Sequence, residues 1–244
     1  MKSNCIWITG ASRGIGAAIA RKFASEGWNL ALTCIHSEEK LLALKEELEN
    51  TYHITCCTFV GDMGDYETVT RCHQHILDTF GHVDVLVNNA GISRIGLFTD
   101  LTPADWQQML QTNLTSVFNC SHLVLPGMIQ AKAGRIINIS SVWGCVGASC
   151  EAAYSTTKGG MNALTQALAK ELAPSGISVN AIACGAIDTD MNACFSAEER
   201  IALEEEIPAG RFGRPEEVAQ LAWNLCQSSD YLTGQIIRLD GGWI

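Results

Sequence analysis

The sequence predicts an α/β fold built on a doubly wound, seven-stranded parallel sheet with helices on both faces. Three observations predict it. Short apolar runs alternate in order with longer stretches of helical periodicity. The runs are apolar at successive positions, as strands covered on both faces require. The first run ends in a glycine-rich loop that opens a helix, which is how a parallel α/β unit begins.

In chain order, the strands are expected at residues 5–9, 29–34, 54–60, 83–88, 134–140, 177–183 and 235–239. Helical patterns fill the intervals at 15–26, 37–50, 65–80, 102–131, 152–173 and 215–226. The longest irregular stretch, about 184–215 with a short helix at 197–206, is expected to act as a substrate lid. A chain of 244 residues that is 47% hydrophobic has ample core material. No linker tract, repeat or low-complexity segment divides it, so 1–244 is expected to be a single domain.

Bulk charge narrows the function. A net charge of −10 argues against nucleic-acid or anionic-membrane partners. The apolar stretch Cys5-Ile6-Trp7-Ile8 is too short for a signal segment or a membrane span, and cytoplasmic residence is expected. Eleven cysteines, including Cys56-Cys57, show no paired CxxC spacing and several lie in strand-like runs, so they read as buried free thiols. The six histidines are dispersed except His73 and His75, which do not share a helix face, and no metal site is expected.

The loop Thr9-Gly10-Ala11-Ser12-Arg13-Gly14-Ile15-Gly16 lies between a strand and a helix. There, glycines allow close backbone approach and helix amides face a pyrophosphate, as in Rossmann-type dinucleotide sites. Its spacing, G-x-x-x-G-x-G, is one residue longer before the middle glycine than the generic fingerprint. NAD(H) sites place a carboxylate at the end of the second strand. Here that end reads Thr33-Cys34-Ile35-His36-Ser37, with no carboxylate before Glu38, and Arg13 offers a charged fork to a 2′-phosphate. NADP(H) is therefore favoured over NAD(H), with His36 and Ser37 beside the adenosine; the alternative makes Arg13 a surface cation and His36 an ordinary loop residue.

Tyr154 and Lys158 are one helical turn apart and share a face, so the ammonium is expected to lie beside the phenol and lower its pKa into the range of a usable acid/base. Ser141 precedes Tyr154 by thirteen positions, at the end of the fifth strand.

Taken together, these motifs, with Asn88-Asn89-Ala90-Gly91 and Asn113, resemble the short-chain dehydrogenase/reductase family over essentially the full chain. The resemblance implies a carbonyl reductase. Tyr154 would protonate the carbonyl oxygen, Ser141 would hydrogen-bond it, Lys158 would bind the nicotinamide ribose, and Asn113 would hold a water of a proton relay. It further implies that Gly10, Ser12, Gly14, Ile15 and Gly16 line the cofactor, that Asp62 and Met63 border the adenine, and that Asn89, Ala90 and Gly91 lie beneath its ribose. Ile187 and Thr189 would reach the nicotinamide amide and a phosphate. Asp62 equally suits a carboxylate bonded within its own turn. Members usually form homotetramers through the long helices and the last strand.

Within the family the chain resembles bacterial 3-oxoacyl-acyl-carrier-protein reductases, notably in Gly210-Arg211-Phe212-Gly213-Arg214-Pro215 and Leu239-Asp240-Gly241-Gly242. It departs from them at Cys184, at Ser175, and in the segment from Val142 to Glu151. Ser175 stands where a base for docking the carrier protein is expected, leaving Lys132 and Arg135 as candidates. Trp143 and Ala148-Ser149-Cys150-Glu151 resemble a subgroup that reduces an aminopentanone on elongation factor P. Glu151 would there pair with a substrate ammonium; otherwise it is an acid favoured by the helix dipole, and Trp143 a packing residue. A non-catalytic dinucleotide-binding scaffold is the reading from another class.

Overall fold

The structure, a computed structural model, describes residues 4–193 and 195–244. Seven parallel strands form one sheet: β1 (Cys5–Ile8), β2 (Asn29–Cys34), β3 (Cys56–Val60), β4 (Val85–Asn88), β5 (Gly134–Ser141), β6 (Ile177–Cys184) and β7 (Ile236–Leu239). Their order is β3-β2-β1-β4-β5-β6-β7. Each strand lies within a residue or two of its expected run. Because the chain winds outward in both directions from β1 and β4, a crevice opens at the carboxyl ends of these two strands, where ligands bind in such sheets.

The helices are α1 (Gly14–Ser25), α2 (Glu38–Tyr52), α3 (Tyr66–Phe80), α4 (Pro103–Leu110), α5 (Ser116–Ala131), α6 (Trp143–Val146), α7 (Ala152–Leu172), α8 (Ala197–Glu206) and α9 (Pro215–Gln227). Successive strand residues point to opposite faces. Ile6 and Ile8 of β1 thus join one core with α1, α2 and α9, while Cys5 and Trp7 join another with α3 and α5. All eight residues of β6 are buried. That two-sided burial explains the unbroken apolar runs.

Two local features differ from expectation, whereas the short helix expected at 197–206 is found with those bounds. The helix expected over 102–131 is divided by a π-helical turn at Gln111–Thr115, in which the Ser116 N–H bonds the Gln111 carbonyl five residues back. Its start is fixed by a reciprocal cap between Thr102 and Asp105. The short α6 follows directly on β5. In the stretch 184–215, α8 has its own reciprocal cap, Ser196 with Glu199, and no buried residue. The base of this stretch is clasped by a bridge between Ile187 and Gly213, with Asp188 N donating to the Gly213 carbonyl (2.8 Å) and Gly213 N to that of Ala186 (2.9 Å).

The ten described cysteines are all free, and eight of them are buried. Among the described residues no helix is long and apolar enough to cross a membrane. No group of three or more potential metal ligands gathers among them.

Candidate active site

The glycine loop leaves β1 and is knitted to the end of β4. Asn89 Nδ2 donates to the carbonyls of Thr9 (2.9 Å) and Gly10 (3.0 Å), while the amides of Asn89 and Ala90 donate to Thr9 Oγ1 (both 3.0 Å). Gly10 has φ +64°, and a Cβ on it would lie 2.9 Å from Ala90 Cα; one on Gly16 would lie 2.4 Å from the Gly10 carbonyl oxygen. Only glycine permits this approach. Beyond the loop, Arg13 is the N-cap residue of α1 and makes no side-chain cap bond, in contrast to α3, α4 and α8, whose first turns are capped. An uncapped helix N-terminus behind a bare glycine turn is a cradle for an anion, and it fits a dinucleotide diphosphate. Ile15 packs against the core behind it.

Thr189 approaches this loop closely, its Cγ2 lying 3.3 Å from where a Cβ on Gly14 would stand. Arg13 Nε lies 3.7 Å from Asp190, both side chains being largely exposed. Ser12 lines the mouth of a cavity with Arg13. His36 is exposed, and Ser37 is the N-cap of α2 without a side-chain cap bond. Asp62 accepts from Gly64 N (2.8 Å), so one of its oxygens serves its own turn. Met63 has its side chain buried in the core with Val69 and Cys72, and its carbonyl is held by Asn119 Nδ2 (3.0 Å). Ile187 is buried, and its carbonyl accepts from Asn192 Nδ2 (2.7 Å).

Deeper in the crevice the candidate catalytic groups converge. Ser141 is the last residue of β5, and α7 presents Tyr154 and Lys158 on one face beside it. Lys158 Nζ is 5.7 Å from the centre of the Tyr154 ring and donates to the Ile139 carbonyl (2.8 Å). A Cβ on Gly91 would stand 3.6 Å from that amine and 3.5 Å from Asn113 Oδ1, which places all three together. The α6 turn lies flat on α7, since a Cβ on Gly144 would meet the Lys158 carbonyl carbon at 2.7 Å. Asn113, directed inward by the π turn, is fully buried. It accepts from Ile92 N (2.8 Å) and donates to the Ile92 carbonyl (2.8 Å) and to Thr157 Oγ1 (3.1 Å), so its side chain ties the loop after β4 to α7.

The electrostatics depart from the expected pattern. Burial pushes the Tyr154 phenol up, with a hydrogen bond from Ser141 pulling it down and the neighbouring Cys184 and Glu151 pushing it further up. Burial also lowers the Lys158 ammonium to about 8. The phenol depression expected from the lysine does not emerge in this cleft: desolvation dominates, and the lowering influence comes from Ser141. The Cys184 thiol, buried beside Lys158, is pushed up to about 12 and stays neutral.

The outer wall carries Trp143 and Glu151. Trp143 meets Trp243 edge to face at 4.9 Å between ring centres, bringing the carboxyl-terminal segment to the site. Glu151 is the N-cap residue of α7 but caps nothing; its Oε2 accepts from Ser93 Oγ (2.7 Å). Gly96 N donates to the Cys150 carbonyl (2.8 Å), so the loop after β4 clasps the loop before α7. Thr9, Ser93, Thr157 and Trp243 were not singled out from the sequence as site residues. Thr9, inside the glycine motif, and Thr157, between Tyr154 and Lys158, lay where sequence could have pointed to them.

A dinucleotide-binding oxidoreductase is the class that this sheet, cradle and Ser-Tyr-Lys cluster define. Comparison with known proteins gives the class a family: the profile described as short chain dehydrogenase matches residues 4–200, and the chain belongs to that family. It is 42% identical over 236 residues to a 3-oxoacyl-[acyl-carrier-protein] reductase of Aquifex aeolicus, covering 96% of this chain and 95% of the relative. It is 39% identical over 236 residues to the reductase of that name from Staphylococcus aureus, covering 96% of each chain. An uncharacterized oxidoreductase of Bacillus subtilis, YmfI, is 40% identical over 237 residues, covering 97% of each chain. The chain is an oxidoreductase that interconverts C=O and CH–OH with a nicotinamide dinucleotide.

Proposed function

We propose that this protein is an NADPH-dependent ketone reductase whose substrate is a 3-oxoacyl thioester on acyl-carrier protein. The convergence of Ser141, Tyr154 and Lys158 at the carboxyl ends of the central strands carries the reading. The likeness to two 3-oxoacyl-[acyl-carrier-protein] reductases supports the substrate class. The absence of a carboxylate at the end of β2, together with Arg13, supports the phosphorylated cofactor.

When bound, the cofactor supplies hydride. The diphosphate would rest on the uncapped start of α1, with Gly10, Ser12, Gly14 and Gly16 leaving room for it. Ser141 orients the carbonyl oxygen of the ketone by hydrogen bonding. Tyr154, kept protonated by burial, gives that oxygen its proton, and the Lys158 ammonium balances the phenolate left behind. Asn113, through Ile92 and Thr157, holds the floor on which Tyr154 and Lys158 stand. The stretch 184–215 closes over the substrate as a lid of this single domain. Homotetramer formation is supported by the open edge of β7 and by Phe118 and Ile129, exposed on α5. Arg135 stands at the amino end of β5, ~20 Å along the strand from Ser141, with Lys132 just before that strand, and Arg135 folds back onto the Ser228 carbonyl. Within one chain neither serves a carrier protein at the mouth of the cleft.

The test is NADPH oxidation with acetoacetyl thioester. Tyr154→Phe should lower kcat by about 10²–10⁴-fold while cofactor affinity stays within about twofold. Turnover near the wild-type rate refutes the assigned chemistry.

One observation favours a second substrate class. Glu151 is a carboxylate at the cleft mouth, uncommitted to its helix and steadied by Ser93, which suits a ketone bearing an ammonium such as the aminopentanone group on elongation factor P. Under this reading Glu151→Gln lowers turnover of amino-ketones relative to neutral ketones by about tenfold. An unchanged ratio discards it.

A further inference from the structure

A serine hydroxyl has one hydrogen to give and two lone pairs to fill, so the use of Ser141 to a ketone oxygen depends on which neighbour takes which. The Trp143 amide donates to Ser141 Oγ (3.2 Å), which fills an acceptor position and leaves the hydroxyl hydrogen free to turn into the cleft. That amide belongs to α6, a single turn with no side-chain cap and no buried residue, too short to hold its own shape. What steadies α6 lies outside it. Gly144 rests on the Lys158 carbonyl, and Cys145 Sγ accepts from Asn162 Nδ2 (3.6 Å), whose Oδ1 accepts from Ser140 Oγ (2.6 Å). Both contacts lie on the side facing α7. At the start of the turn, the Trp143 ring leans on Trp243 instead, edge to face at 4.9 Å. Trp243 is itself held in a hook after β7 that Asp240 ties. The two carboxylate oxygens of Asp240 accept from Gly242 N (3.0 Å) and Ile244 N (3.2 Å), and its carbonyl accepts from Trp243 N (3.3 Å). Arg238 Nη1 closes the hook on the Ile244 carbonyl (2.8 Å). Gly241 turns it with φ +68°, and its carbonyl accepts from Ala209 N (3.1 Å), so the hook also bears on the stretch 184–215.

We propose that Trp243 is a positioning residue for Ser141: by bracing Trp143 it keeps the α6 amide on Ser141 Oγ and the serine hydrogen aimed at the ketone oxygen. The inference rests on the ketone-reductase reading and deepens it. A residue that only walls the pocket changes how well the ketone binds. A brace changes how fast the bound ketone reacts, because the serine hydrogen bond matters most as charge grows on the oxygen. Both indoles are half-buried at the surface of the site, so replacing Trp243 opens no hole in the core.

A double-mutant cycle with Ser141→Ala tests this, read as NADPH oxidation by the full chain with acetoacetyl thioester, or with an amino-ketone should wild type prefer it. Trp243→Ala should lower kcat about tenfold while KM for the ketone and Kd for the cofactor each stay within about twofold. Trp243→Phe should restore most of kcat, since it keeps a ring against Trp143. In the Ser141→Ala background, Trp243→Ala should cost less than about twofold, because no hydroxyl remains to be aimed. Three results overturn the role while the reductase reading stands. One is a kcat that stays at the wild-type value, with or without a raised KM. Another is a loss repeated in full in the Ser141→Ala background. The third is a cofactor affinity that falls together with kcat, which would make the hook a support of the whole fold. If wild type oxidises NADPH with neither ketone, the reductase reading itself falls and the role of Trp243 with it.

Discussion

At Tyr154 and Lys158, burial acts on both groups and in opposite senses: it holds the proton on the phenol and loosens the one on the amine. For ketone reduction the first effect helps, because a proton donor must be protonated. The second sets a limit. The amine is charged below about 8 and neutral above it, and only the charged form balances a phenolate. We therefore expect kcat/KM for the cofactor, which reports the free enzyme, to be level near neutrality and to fall as pH rises through about 8. The limb in kcat should lie at higher pH, since bound phosphates favour the ammonium. A kcat/KM profile that stays level to pH 10 would remove Lys158 from this role. Residue identity and spacing made the Tyr154–Lys158 pair legible in sequence, because a helical turn fixes which residues share a face. The shifts were not legible, since they depend on what encloses the pair, and the contact of Ser93 with Glu151 is visible only once distant loops are brought together.

At the level of elements, the strands were the easiest to read, since two-sided burial writes itself as unbroken apolar runs. The long helix between β4 and β5 shows where reading fails. Its periodicity runs on through residues 102–131, but the π turn at Gln111–Thr115 adds a residue to the winding without any marker such as proline or glycine. The consequence is functional: that turn aims Asn113 inward, where it fastens Ile92 to Thr157 on α7. Even Pro126, the residue that most resembles a helix breaker, lies inside α5, which continues to Ala131. The four-residue α6 escaped notice because a single turn is too short to show a period. Yet its Gly144 is what lets the chain after Ser141 lie against Lys158.

For the molecule as a whole, the site depends on helices held in place from behind. The α1 helix offers its N-terminus to the cofactor, and its far half is fixed to α9 by an aromatic group. Phe23, fully buried, meets Trp28 at 5.4 Å and Trp223 at 5.2 Å, both edge to face, and the two indoles meet at 6.2 Å. Lys22 adds a cation 5.5 Å over the Trp223 ring. Removing the central ring leaves a void that rigid neighbours on three sides cannot close. Phe23→Ala should therefore cost about 3–5 kcal/mol, and at roughly 2–4 °C per kcal/mol for a chain of this size the melting temperature should fall by about 6–20 °C. Phe23→Leu should recover much of that, because volume matters more than aromaticity in a core. Both indoles should shift their fluorescence to the red in the alanine variant, and saturating cofactor should raise its melting temperature by mass action on the folded state. A melting temperature within a degree or two of wild type would mean that α1 is held by its other contacts, and that this group is packing without consequence for the cradle it supports.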